Sequence, residues 1–163
     1  MHKILFVGAV AGLAFSTVAG AQLTRVGPPT AAVADAVEAK APVDTLYLAG
    51  ITPPALDPSA PAVRGDTKTQ TQNILKILGQ ILASQGYGYG DVTMLRVFLV
   101  ADPANGGKID FAGMKQAYGQ VFGTPEQPGR PARATVQVAG LVDEGQLVEI
   151  DAIAARSHRS PAK

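Results

Sequence analysis

The sequence predicts an α+β domain in which two helices cover one face of a sheet. Three patterns carry that expectation. Ile74, Leu75, Ile77, Leu78, Ile81 and Leu82 recur at the spacing of an amphipathic helix, in a stripe wide enough to cover a sheet. The run 92–100 is strand-like and apolar at both parities, as a central strand should be. Ala134, Val136 and Val138, and then Val148, Ile150 and Ala152, alternate with polar residues, as half-buried strands do. Strands separated by helices in this order favour a sheet with both helices on one side.

The chain opens with Lys3 and meets no further charge until Arg25. Residues from Ile4 to Val18 are apolar or small, and Ala19-Gly20-Ala21 follows. This is the pattern of a secretory signal peptide over 1–21, cleaved after Ala21, and it predicts a periplasmic or secreted protein. An uncleaved membrane anchor or a buried helix fits the same run, which has the lower limit of spanning length. The chain has no cysteine, so its fold must rest on its core rather than on disulfides. Removing 21 residues from 163 leaves 142, the size of one domain. Removal of Lys3 leaves 13 basic groups against 13 acidic ones, which predicts neither nucleic acid nor an anionic membrane as partner.

Residues 22–42 read as a lead-in with a weak first strand at 33–37. Gly27-Pro28-Pro29 marks residues 22–30 as flexible, and Lys40-Ala41-Pro42 separates the first strand from its expected partner at 45–49. The proline-rich segment up to Gly65 is a loop, since proline removes a ladder donor. Asp66 or Thr67 should cap the first helix, and Gly86 should end it. Asp102-Pro103-Ala104-Asn105-Gly106-Gly107 is a turn-rich loop. A second helix is expected over 110–122, with Phe111, Met114, Tyr118, Val121 and Phe122 inward. Gly113 and Gly119 weaken it by about 1 kcal/mol each, so packing must hold it.

The last two strands read as a hairpin around Val142-Asp143-Glu144-Gly145-Gln146. Burying both apolar sets together would put Arg133, Thr135, Gln137, Glu149 and Asp151 on one face. A guanidinium beside a carboxylate on a rigid sheet suits a small anionic substrate and a water. An ordinary ion pair at a subunit interface fits the same residues. Tyr87, Tyr89, Tyr118 and Phe122 read as packing, and Asp151 as interface or salt-bridge material. His2 leaves with the signal and His158 lies in the tail, so neither a histidine base nor a metal site is expected. Gly86-Tyr87-Gly88-Tyr89-Gly90 precedes a strand rather than opening a helix, unlike a phosphate loop. Ser84, Ser157 and Ser160 have no histidine to activate them.

Six segments stand out in order along the chain: Leu48-Ala49-Gly50, Ser84-Gln85-Gly86, Val97-Phe98-Leu99, Phe111-Ala112 with Tyr118, Pro131-Ala132-Arg133, and Val148-Glu149-Ile150-Asp151-Ala152-Ile153-Ala154. Together, and in this order, they resemble the RidA/YjgF family of reactive-imine deaminases. The resemblance covers 43–156 and leaves 157–163 as a polar tail. It implies a chorismate-mutase-like α+β fold, a homotrimer with clefts between neighbouring subunits, and no metal or organic cofactor. It also implies hydrolysis of 2-imino or enamine acids to 2-oxo acids and ammonia. By the same resemblance Arg133 grips the substrate carboxylate, Glu149 serves the hydrolytic water, and Gly50 and Thr135 line the cleft. Lys115 stands where the family often offers an asparagine, and Ala49 where a small hydroxyl residue is common. The usual N-terminal tyrosine is absent from Val33-Ala34-Asp35-Ala36-Val37. These departures motivate the alternative, a non-catalytic homotrimer that binds small carboxylic acids or a protein partner.

Overall fold

A computed structural model describes residues 23–158. The order is β1 (Leu23–Val26), β2 (Ala36–Ala39), β3 (Val43–Ile51), α1 (Thr67–Ser84), β4 (Val92–Val100), α2 (Phe111–Tyr118), β5 (Ala132–Val138) and β6 (Val148–Ser157). β1 and β2 form an antiparallel ribbon, and the other strands form a sheet in the order β3-β6-β4-β5. Only the β4–β5 pair in that sheet is parallel, as the crossover through α2 requires. The expected signal peptide lies outside the described residues. Among the described residues, no helix is long and apolar enough to cross a membrane.

Both helices pack on the same face of the sheet, as expected. The Asp66 carboxylate accepts the Thr69 N–H at 2.8 Å and caps α1. Gly86, at φ +73°, turns the chain out of that helix. Ile74, Leu75, Leu78 and Leu82 are fully buried, while Ile81 at the stripe's edge is partly exposed. They meet Leu95, Val97 and Leu99 of β4 and Val148, Ile150, Ala152 and Ala154 of β6 in one core. β4 is central, as its two apolar faces predict. α2 is capped by Asp110, which accepts the Gly113 N–H at 2.9 Å. It stops at Tyr118, short of the expected Phe122, because two glycines at 119 and 123 favour the turns that follow. Met114, Tyr118 and Phe122 are buried as expected, but Phe111 is 43% exposed.

Four other expectations change. The lead-in contains a real strand: β1 pairs with β2, Leu23 against Ala39 and Val26 against Ala36. The strands expected to pair across Pro42 therefore part, and β3 pairs with β6 instead. Ser157 is no longer tail, since it closes β6 opposite Val43. Finally, β5 and β6 do not form a hairpin, because β4 lies between them. The physical reason is burial. β6 buries its core-facing residues from Val148 to Ala154 and needs a neighbour on each side. β5 carries Arg133, Thr135 and Gln137 towards the helices and suits the edge.

The same change reverses the parity inferred for the last two strands. Arg133, Thr135 and Gln137 align with Leu95, Val97 and Leu99 of β4, on the helix side. Glu149 and Asp151 align with Phe98 and Arg96, on the open side. Within one chain, Arg133 and Glu149 therefore project from opposite faces. The open face carries Tyr47 at 76% exposure and Val136 at 48%, beside an Arg96–Asp151 ion pair at 2.8 Å. Asp151 is thus salt-bridge material, as expected.

Candidate functional site

Arg133 and Thr135 are two residues apart on β5 and share a face by the alternation of a strand. α2 crosses that face. The Arg133 Cζ lies 4.3 Å from the centre of the Tyr118 ring and 5.9 Å from that of Phe111. Phe111 and Tyr118 stand two turns apart on α2 and form an aromatic wall for the cation. Tyr118 in turn stacks on Phe122, with ring centres 5.0 Å apart. Lys115 sits between the two aromatics in sequence but is exposed. The rings, not Lys115, cover Arg133.

The polar atoms of this pocket are notable for what they lack. Arg133 Nη1, Thr135 Oγ1 and the Tyr118 hydroxyl are all buried without a hydrogen-bond partner. Each such group costs about 1–3 kcal/mol when left unmatched. Burial lowers the Arg133 pKa, and Tyr118 opposes that shift. Burial pushes the Tyr118 hydroxyl up to about 12, against the pull of Arg133, Arg130 and Arg25. Tyr118 is therefore a neutral donor near pH 7. A carboxylate can accept two parallel hydrogen bonds from a guanidinium and others from hydroxyls, the kinds of donor left unpartnered here.

Gly50 and Glu149 make a second cluster. The pairing of β3 with β6 slips between Leu48 and Ile51, so the chain bulges at Ala49-Gly50. The Glu149 carboxylate folds over this bulge. A Cβ placed on Gly50 would lie 1.9 Å from Glu149 Oε1, so any side chain there would displace the carboxylate. Glu149 is half-buried.

Of the residues singled out from sequence, Arg133 comes together with Thr135, and Gly50 with Glu149. The two pairs do not meet within one chain. β5 and β6 are two strand spacings apart, about 10 Å, and the side chains leave opposite faces. From sequence Tyr118 reads as packing and Phe111 as an inward helix residue, and both belong to the segments that carry the family resemblance. Their seven-residue spacing on a helix that returns to the arginine's strand is the signal that marks them. A groove of about 590 Å³ on the outer side of α1 and α2, lined in part by Leu75, Gly79, Tyr89 and Ala117, does not include Arg133. Among the described residues, no group of three or more His, Cys, Asp or Glu gathers as a metal would need.

The fold, with Arg133 against the Tyr118 and Phe111 rings, defines a Rid-type α+β protein. A family model described as endoribonuclease L-PSP matches residues 28–156, and the chain belongs to this RidA/YjgF family. It is 37% identical over 128 residues to the 3-aminoacrylate deaminase RutC of Acinetobacter baylyi, covering 78% of this chain and 89% of that one. It is 35% identical over 111 residues to the 2-iminobutanoate/2-iminopropanoate deaminase of Mus musculus, covering 68% of this chain and 73% of that one. Among solved structures, it is similar to YyfB of Yersinia pestis, a Rid-family protein of unknown function. That match has a TM-score of 0.62 and 26% identity over 80% of this chain and 96% of that one.

Proposed function

We propose that this protein is an exported, cofactor-independent deaminase that hydrolyses reactive 2-imino or enamine acids to 2-oxo acids and ammonia. The observation that carries the reading is the buried, unpartnered Arg133 Nη1, with unpartnered hydroxyls on Thr135, two residues along the same strand, and on Tyr118, whose ring lies against the guanidinium. The deaminases among its relatives support the reaction class. The substrate carboxylate binds Arg133, with Thr135 and Tyr118 at its flanks. Water then adds to the C=N carbon, and a C–O bond forms while the π electrons go to nitrogen. Glu149 takes a proton from the water and returns one to nitrogen. The carbinolamine hydroxyl then gives up its proton, which Glu149 passes to the amino nitrogen; the C=O bond forms as the C–N bond breaks, nitrogen leaves with the bonding pair as ammonia, and the 2-oxo acid remains. Imines are labile, so a gain of two or three powers of ten requires only about 3–4 kcal/mol.

Because Arg133 and Glu149 leave opposite faces of one sheet, this mechanism needs two copies of the chain. A homotrimer in which the open sheet face of one copy packs against the β5 edge of the next would bring Gly50 and Glu149 of the first to Arg133 of the second. Tyr47 and Val136, exposed on that face, supply apolar area for such contacts. Export rests on the N-terminal pattern, and cell fractionation of the tagged protein with mass of the mature N-terminus tests it.

The deciding experiment follows ammonia release from imines generated in situ by an amino-acid oxidase. Wild type should accelerate it, Arg133→Ala should not, and Arg133→Lys should retain little. Equal rates for wild type and Arg133→Ala would reject the assignment. The opposite-face arrangement within one chain also favours a second reading, binding of small acids without turnover. Saturable binding of 2-oxo acids with no ammonia release would select it.

A further inference from the structure

Arg133 is the second residue of β5, and β5 is the edge strand of its sheet, paired among the described residues with β4 alone. The first residues of an edge strand fray readily, because one row of their backbone groups has no neighbouring strand. A buried guanidinium placed there needs its backbone held from elsewhere.

The β1–β2 ribbon supplies that hold. Arg25, on β1, donates from Nε to the Arg130 carbonyl at 3.1 Å and from Nη2 to the Gly90 carbonyl at 2.7 Å. Gly90 lies just ahead of β4, and Arg130 just ahead of β5. One side chain therefore braces the entries of the two parallel strands that set Leu95 opposite Arg133. The contact runs both ways. Arg130 donates from Nη1 to the carbonyls of Pro28 and Ala31 at 2.7 and 2.6 Å, and the Ala34 N–H donates to the Pro131 carbonyl at 3.2 Å. The Arg25 guanidinium lies close over the buried Gly129, where a Cβ would stand 2.9 Å from Nη2. Every acceptor is a backbone carbonyl, so these bonds fix the path of the chain into β5. Arg25 precedes residues 28–156, which the family model matches, so the match does not cover it.

We propose that Arg25 is a positioning residue for substrate binding: by bracing the entries of β4 and β5 it holds Arg133 in the geometry that receives a carboxylate. This rests on Arg133 as the carboxylate anchor. Arg25 acts through the backbone at 130–131 and touches no substrate. Without the brace the start of β5 frays, and its ordering falls on the moment of binding. Ordering one rotamer-rich side chain at that moment weakens affinity by about two- to tenfold.

Calorimetry with 2-oxobutanoate reads the affinity, and ammonia release from the matching imine reads KM and kcat. Arg25→Met keeps the apolar stem and removes the donors. It should weaken binding and raise KM by about fivefold, with kcat within about twofold of wild type, because the reacting groups are untouched. Arg25→Lys, which can reach one carbonyl, should recover part of the affinity. Arg130→Met removes the reciprocal bonds and should weaken binding to a similar extent, so it decides the matter if Arg25→Met does not fold. Wild-type affinity in the folded variants would overturn the inference whatever their Tm, since a brace that serves only stability lowers Tm and leaves affinity alone. So would a fall in kcat with KM unchanged. Arg133→Ala separates the two levels of argument. Loss of binding there, alongside wild-type affinity in Arg25→Met, removes the brace and keeps the anchor. Undiminished binding in Arg133→Ala removes the anchor and the inference with it.

Discussion

Replacing Gly50 by alanine tests whether the position of the Glu149 carboxylate governs turnover. The new Cβ would lie 1.9 Å from Glu149 Oε1, 2.8 Å from Cδ and 3.2 Å from Cγ. Ordinary contact begins near 3.4 Å, so Oε1 must retreat by about 1.5 Å, the difference of 3.4 and 1.9. The crowded atoms are the far end of a flexible side chain, so the fold can yield by rotating Glu149. A misplacement of about 1 Å at a reacting group costs on the order of a hundredfold in rate. Gly50→Ala should therefore lower kcat for ammonia release by about that factor, with a much smaller change in KM. Steady-state kinetics, with thermal unfolding as the control for folding, read both. A kcat within threefold of wild type would refute Glu149 as the group that handles water at this place. A large fall in Tm would instead make the bulge a structural element.

Arg133→Met should abolish turnover and leave the fold as stable as wild type or about 1 kcal/mol more stable, because it removes a buried unpartnered donor. Chemical denaturation decides this, and a loss above about 2 kcal/mol would mean that the cation is structural. The raised pKa of Tyr118 has a definite sign. Its proton is held more tightly in the folded chain, so the linked stability is complete below the unfolded value near 10 and is lost as pH rises through about 12. Wild type should lose of order 2 kcal/mol more than Tyr118→Phe across that window, by denaturant titration. Val136→Glu puts a charge on the open sheet face and should convert a trimer to monomers by light scattering, with loss of activity at low protein concentration. A monomeric wild type of full activity would contradict the two-copy site.

Much of the chain's local organisation follows from its residue order alone. The apolar period of Ile74 to Leu82 makes α1, Asp66 caps it, and the doubly apolar run from 92 to 100 makes a central strand. The alternation around 132–138 and 148–157 makes β5 and β6, and Pro131 leads into the first of them. These are properties of neighbours within about a dozen positions, which fix backbone propensity and the side on which each chain segment is greasy.

Which strand lies beside which is a different kind of fact. The sequence is compatible with a β5–β6 hairpin, and that reading put Arg133 and Glu149 together. Only the fold inserts β4 between them, because β6 needs burial along its whole length and β5, with three polar residues towards the helices, does not. A single change of neighbour turns Glu149 to the face opposite Arg133. Arg25 and Arg130, separated by more than a hundred residues, meet for the same reason, the Arg25 Nε donating to the Arg130 carbonyl. Local pattern determines the elements; long-range burial, which no local window contains, decides their partners and therefore the site.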